Sequence, residues 1–274
     1  MSAREVSAAL AVAREHGISC DTPVVLRDLT NVLVHLAPAP VVARVPVTLV
    51  RLRGKEWESR VVELASFLAG EGAPIARPSP ELPPGPHVHD RVVVSFWEHV
   101  DHDPKRFDAD AAGRSLCDLH RALAAYDGLL PRFERLDEVE RVTSTLREPD
   151  AAVLRDALAR LEAGATDDAR PLHGDAHLRN VLWAEDGPRW TDLENACVGP
   201  IEYDLAAIAW RASDGTEEAL AAYGRYDEDE LARVTPFLAV FLAAWTLDLA
   251  ERHPSARPGA EERLERVRQW LRQA

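Results

Sequence analysis

Residues 171–183 read Pro171-Leu172-His173-Gly174-Asp175-Ala176-His177-Leu178-Arg179-Asn180-Val181-Leu182-Trp183, and further on the chain continues Trp190-Thr191-Asp192-Leu193-Glu194. These residues sit inside a non-helical island, Leu172 to Pro200, set in a half of the chain whose apolar spacing is otherwise helical. Within the island, apolar residues flank Glu185-Asp186-Gly187-Pro188, a pattern that predicts a hairpin. Asp175, Asn180 and Asp192 therefore fall on loops carried by a rigid scaffold, where chemistry concentrates.

Working outward, the spacing predicts helices over Ala111–Tyr126, Leu136–Leu146 and Asp150–Ala163 before the island. After it come Tyr203–Ser213, Glu217–Tyr223, Asp227–Arg252 and Ala260 to the end. The acids Asp227-Glu228-Asp229-Glu230 suit a helix N-terminus, whose dipole favours negative charge. Phe237–Leu247, bounded by Pro236 and Asp248, falls short of the ~20 apolar residues that span a bilayer and reads as a buried helix.

Ahead of Asp101-His102-Asp103-Pro104 the pattern changes. Short β-branched runs at Val24–Leu26, Val32–Val34 and Val41–Ala43 predict an antiparallel three-strand meander. A helix follows over Glu56–Leu68, closed by Gly70 and Gly72 with Pro74 beyond. The proline-rich stretch Pro78–Pro86 reads as loop and Arg91–Trp97 as a buried strand. Met1–Gly17 has the stripe of an amphipathic helix and lacks the apolar centre of a signal peptide. The expected organisation is α+β: an N-terminal antiparallel-sheet lobe over 1–98, led by helix 1–17, and a larger, mainly helical lobe over 99–274.

The 274 residues are 46% hydrophobic and 28% charged, the composition of a globular chain rather than a disordered one. With 32 basic and 46 acidic residues the net charge is −14, which disfavours a sequence-independent grip on nucleic acid or anionic lipid and suits neutral or cationic partners. Cys20, Cys117 and Cys197 stand isolated, without the spacing of a disulfide framework or a thiolate zinc site. A reducing compartment, the cytoplasm, is the expectation.

A carboxylate, an amide five residues later and a second carboxylate across a hairpin are what phosphoryl transfer needs. One Asp accepts a hydroxyl proton, while an Asn and another Asp offer hard oxygens to Mg²⁺ bridging nucleotide phosphates. The Asp175 to Asn180 spacing equals that of the kinase catalytic loop. The alternation His173, Asp175, His177 also suits a transition metal, but such a site needs further ligands, and the other histidines show no matching motif.

The segment His173–Leu182 resembles the signature of the aminoglycoside phosphotransferase and choline kinase superfamily. So does Thr191-Asp192-Leu193-Glu194 followed by Gly199-Pro200-Ile201-Glu202-Tyr203-Asp204-Leu205-Ala206. The resemblance extends upstream to Leu116-Cys117-Asp118-Leu119-His120 and to the strand and helix pattern before it. It implies a two-lobed protein-kinase-like fold and a small-molecule kinase. Such an enzyme moves the γ-phosphate of ATP or GTP, with Mg²⁺, to a hydroxyl of an aminoglycoside, another sugar or an amino alcohol. Trp97, Trp183 and Trp190 read as packing residues, although a choline-type acceptor would want aromatic faces around its cation.

By the same resemblance Asp175 is the expected catalytic base, Asn180 and Asp192 the metal ligands, and His173 and Asp204 the braces of the loop. Arg44, in Val42-Ala43-Arg44-Val45-Pro46, takes the slot of the base that holds the α- and β-phosphates. Trp97, Glu98 and His99 lie in the linker that offers backbone groups to the purine. Two positions depart from the pattern. The helix acid that pairs with the phosphate-binding base falls near Val61, so Glu58, one turn earlier, is the expected substitute. The nucleotide loop Asp28-Leu29-Thr30-Asn31 has no glycine, so Thr30 and Asn31 side chains are expected to replace a backbone cradle. These departures keep open a catalytically silent nucleotide- or ligand-binding relative.

Overall fold

The β-branched runs near the N-terminus pair into an antiparallel meander of β1 (Val24–Asp28), β2 (Asn31–His35) and β3 (Val41–Pro46) in the computed structural model. The structure describes residues 3–48, 50–162, 164, 168–210 and 215–273. The expected helix ends at Ala163 and Ser213 lie outside them. With β4 (His87–His89) and β5 (Val92–Glu98) the strands form one sheet in the order β1-β2-β3-β5-β4. The three-residue β4 is too short for its alternation to show in sequence. It forms a hairpin with β5 through Asp90 and Arg91, both at positive φ, as a tight two-residue turn demands.

Alternation along the strands gives the sheet two different faces. On one, Val32, Val34, Val41, Ala43, Val45, Val94 and Phe96 are buried with Ala8, Ala9, Val12 and Ala13 of α1 (Ala3–Glu15). Small residues on that helix let it lie close to the strands. The other face carries Asn31, Leu33, Val42, Arg44 and Trp97 into a cavity. Both faces of β3 are thus covered, and every residue of it is buried.

Two helices follow, the short α2 (Val50–Arg53) and the long α3 (Lys55–Gly70), which buries Val61, Val62, Leu64, Ala65 and Leu68 together with Glu58. Helix α4 (Ala109–Leu123) starts at Asp108, whose side chain caps it by accepting from the Ala111 N–H at 2.8 Å.

The chain divides into two compact units, residues 1–128 with 178–195 and residues 129–177 with 196–274. The partition expected from sequence, 1–98 and 99–274, follows the change from strands to helices, whereas the compact units follow packing. The hairpin of β7 (Val181–Ala184) and β8 (Gly187–Trp190) joins the first unit because Trp190 exchanges backbone hydrogen bonds with Pro74 and Ala76. Its fully buried indole also donates to Ser115 Oγ of α4 at 3.0 Å.

The second unit contains α5 (Leu136–Thr143), α6 (Asp150–Arg160), α7 (Glu202–Trp210), α8 (Thr216–Tyr223), α9 (Glu228–Arg252) and α10 (Arg257–Gln273). A small antiparallel pair, β6 (Arg170–Leu172) with β9 (Cys197–Gly199), belongs to it too. By length and composition α9 could cross a membrane. Its apolar residues, including Phe237, Leu238, Val240 and Phe241, are buried, and it packs on α10, α7 and α5 as a core helix does. At its start the Asp227 side chain accepts from the N–H groups of Asp229 and Glu230, so this acid of the run is a helix cap.

Candidate active site

The first unit holds a cavity of about 300 Å³ under the inner face of its sheet. Its walls are apolar where Leu33, Val42, Val61 and Leu182 meet, and charged where Arg27, Arg44 and Asp192 converge. Such a division suits a ligand with a flat apolar part and an anionic tail.

Arg44 is the centre of the charged end. Its Nη1 donates to both carboxylate oxygens of Glu58, at 2.7 and 2.6 Å, and its Nη2 donates to Glu194. Asp192 Oδ1 lies 3.9 Å from the same Nη2. Glu58, not the position of Val61, is therefore the acid that α3 brings to Arg44; Val61 lines the cavity as an apolar wall. Ser95 Oγ donates to Glu58 at 2.6 Å, and the Trp97 indole donates to Ser95 at 2.8 Å, which fixes the acid from the sheet side. Burial opposes the Arg44 charge, yet Glu58, Glu194 and Asp192 outweigh it and raise the Arg44 pKa above the ordinary arginine value.

Glu194 had no role in the sequence reading, although it stands in the quoted motif two residues after Asp192. Its carbonyl accepts from Arg53 Nη1 at 2.7 Å and from the Trp57 indole at 2.9 Å. Its carboxylate and Asp192 Oδ1 both accept from Asn31 Nδ2 at 3.3 Å. Burial pushes the Glu194 carboxyl up to about 7 against the pull of Arg44, with Asp192 adding to the rise.

The β7–β8 hairpin positions the two expected metal ligands. Val181 pairs with Trp190, so Asn180 and Thr191 lie one step beyond the last pair, and Thr191 N–H donates to the Asn180 carbonyl at 2.8 Å. Asp192 follows at a φ of 66°, a left-handed conformation that an aspartate tolerates better than most residues. Asn180 is buried, while the Asp192 side chain keeps 18% of its surface open. An amide and a carboxylate on one hairpin are hard oxygen donors of the kind Mg²⁺ takes alongside phosphates, so the donor set fits that ion.

The remaining expected nucleotide residues fall into two groups. Asn31, Trp97, Glu98 and His99 line the cavity. Thr30 does not: it lies in the two-residue turn between β1 and β2, and its carbonyl accepts from the N–H groups of Val47 and Thr48. The Asn31 amide nitrogen is directed at Asp192 and Glu194. In the linker, the N–H of Glu98 is committed to Arg77 and that of His99 to Pro40, both at 2.9 Å, so neither is available to a purine. The His99 ring stacks on His35 at 3.8 Å. Burial, and then the neighbouring His35, hold its pKa below the ordinary histidine value.

The second unit carries Asp175 on a loop braced by Asp204 from the first turn of α7. The two Asp204 oxygens accept from the N–H groups of His173 and Gly174, each at 2.8 Å, and Asp204 is fully buried. Gly174, at a φ of 79°, supplies the left-handed turn that aims both N–H groups at one carboxylate. His173 Nδ1 accepts from the Asp175 N–H at 3.2 Å, and His177 Nε2 stands 3.8 Å from Asp175 Oδ1. His173 and Asp204 thus meet the backbone of the Asp175 loop.

A family model described as the phosphotransferase enzyme family matches residues 2–237. Stress response kinase A of Escherichia coli (strain K12) is 32% identical over 90 residues, 28% of this chain and 26% of the relative, so the match spans about a quarter of that protein's length. Among solved structures, choline kinase LicA from Streptococcus pneumoniae superposes with a TM-score of 0.70 at 15% identity, covering 96% of this chain and 98% of that one. The GDP complex of aminoglycoside 2'-phosphotransferase-IIIa does so with a TM-score of 0.68 at 16% identity, over 97% and 98%. At these identities the likeness is one of fold, and the fold is the two-lobed, protein-kinase-like α+β type.

Proposed function

Because this chain belongs to the phosphotransferase enzyme family, we propose that it is a small-molecule kinase that transfers the γ-phosphate of ATP or GTP to a hydroxyl group. The observation that carries the reading is the charged end of the cavity, where buried Arg44, held by Glu58, stands beside Asp192 in a cavity that also has apolar walls.

Asp175 accepts the proton of the acceptor hydroxyl as its oxygen forms the new bond to the γ-phosphorus. The bond from that phosphorus to the β–γ bridging oxygen breaks, and the nucleoside diphosphate leaves with the electron pair. Asn180 and Asp192 would hold Mg²⁺, which would neutralise charge on the phosphates. Arg44 steadies the phosphates at the same end, and His173 with Asp204 keeps the Asp175 backbone in its turn. The net charge of −14 favours a cationic acceptor, such as an aminoglycoside or an amino alcohol, over a neutral sugar.

A protein hydroxyl is a second acceptor class, favoured by the name of one similar protein, the serine/threonine protein kinase RdoA of Salmonella typhimurium (strain LT2), which matches over 26% of its length. Calorimetric titration of ATP and GTP with and without Mg²⁺, paired with a transfer screen over aminoglycosides, sugars, amino alcohols and a protein substrate, tests the reading. Magnesium-dependent binding with transfer to one class is the expected result. Absence of nucleotide binding at millimolar concentration would overturn it, and binding without transfer to any acceptor would favour a silent relative.

A further inference from the structure

The cross-strand register of the sheet puts Arg27, Leu33, Arg44 and Ser95 in one row, each directly opposite the next. Directly opposed residues share a face, so Arg27 and Arg44 both point to the cavity side with Leu33 between them, and all three line the cavity. Arg27 reaches this row through an irregularity in β1: the register shifts between Val25 and Arg27, leaving Leu26 as the extra residue. A bulge of this kind re-aims the side chains that follow it. Without it, strict alternation would send two neighbours to opposite faces, whereas here both Leu26 and Arg27 line the same cavity.

The two arginines flank Asp192 differently. Arg44 is 6% exposed, and both of its terminal nitrogens are directed at carboxylates, Nη1 at Glu58 and Nη2 at Glu194 and Asp192. Arg27 keeps 42% of its side-chain surface open and meets Asp192 Oδ2 through Nη1 at a long 3.5 Å. A guanidinium binds phosphate through a planar fork of donors, and a partly open one held only by a long contact is placed to present that fork. The turn that follows Arg27 is two residues, Leu29-Thr30, with no glycine whose backbone could approach a phosphate.

We propose that Arg27 is a phosphate-binding residue for the polyphosphate tail of the nucleotide, in place of a glycine-rich backbone cradle. The inference rests on the nucleotide-kinase reading above and adds to its charged end a second, partly open arginine. Arg27 lies on the exposed edge of the sheet and packs in no core, so its replacement leaves the fold standing.

The test is calorimetric titration, with Mg²⁺, of the wild-type chain and of Arg27→Ala and Arg27→Lys with two series of probes, ATP, ADP and adenosine, and GTP, GDP and guanosine. Arg27→Ala should weaken the preferred triphosphate and diphosphate about ten-fold, as loss of a charge-assisted contact does, and leave the matching nucleoside unchanged. Arg27→Lys should recover part of the loss, since lysine keeps the charge without the fork. If the wild type binds its triphosphate well above its nucleoside and Arg27→Ala binds both as the wild type does, the assignment of Arg27 is overturned and the kinase reading stands. Equal loss of triphosphate and nucleoside in Arg27→Ala would also overturn it, by showing a change in the cavity rather than in phosphate contact. If the wild type binds no nucleotide, both readings fall together.

Discussion

The two constellations of charge are built in opposite ways. In the first unit Arg44, Glu58, Glu194, Asp192 and Asn31 hold one another through side chains contributed by β2, β3, α3 and the turn after β8. In the second unit a single buried carboxylate, Asp204, holds two backbone N–H groups of the Asp175 loop. A side-chain network tolerates substitution, because a residue one turn along a helix can reach the same partner: Glu58 does so from a position one turn before Val61. A carboxylate bonded to backbone depends on the local turn, so its sequence context stays recognisable. One arrangement is set by register and packing and the other by local backbone geometry.

Four experiments press on that contrast. The largest effect is expected at Asp175. Asp175→Ala should lower kcat about 10³-fold, the range of a positioned general base, with nucleotide affinity unchanged in a binding titration. Wild-type turnover by that variant on an accepted substrate would remove Asp175 from the role assigned to it.

Next comes the side-chain network. Glu58→Ala leaves Arg44 buried with one acid partner fewer, and should cost about 3 kcal/mol of stability by urea denaturation, as loss of one member of a buried ion pair does. A double-mutant cycle with Arg44→Met should show strong coupling, because Arg44→Met leaves the buried Glu58 carboxylate without its guanidinium. Additive losses would mean that the pair is not the unit described above.

Asp204→Asn should cost less, about 2 kcal/mol, because the amide oxygen can still serve one of the two N–H groups while the charge is lost. The variant should also lower kcat without a matching change in nucleotide KM, since the brace acts on the Asp175 loop. A rise in nucleotide KM alone would contradict that assignment.

The smallest effect concerns His99, stacked on His35 and near His102 and Asp101. Its folded-state pKa is depressed, so in the window between the folded value and the unfolded one, about 6.5, the unfolded chain binds more protons. The stability contribution is therefore complete above the unfolded value and lost as the pH falls through the window. Urea midpoints at pH 7.5 and 5.5 should fall further apart for the wild type than for His99→Gln. An identical pH dependence in the two would show that the stack does not disfavour the proton.

The Asp175, Asn180 and Asp192 pattern was legible in sequence because each residue is tied to a local element, a loop turn or the end of a hairpin, and local elements are encoded by neighbours. The meander, helix α3 and the helices of the second unit were legible from periodicity for the same reason. Strand β4 was not, since three residues carry no period. Nor was the division into compact units, which follows where Trp190 packs and which backbone groups it pairs with. Glu194 stood in the quoted motif with an obvious neighbour in Asp192, and spacing two residues from a carboxylate beside a buried arginine was the signal available for it.

What the sequence determined alone is the family, the α+β class and the order of the chemical groups along the chain, because these depend on residue types at short spacing. The tertiary structure decided which acid α3 brings to Arg44, that Asn31 is directed at carboxylates while Thr30 holds a turn, and that Arg27 shares a row with Arg44. These outcomes depend on strand register and on a single bulge, and a shift of one residue in register exchanges the two faces of a strand while leaving the sequence pattern unchanged.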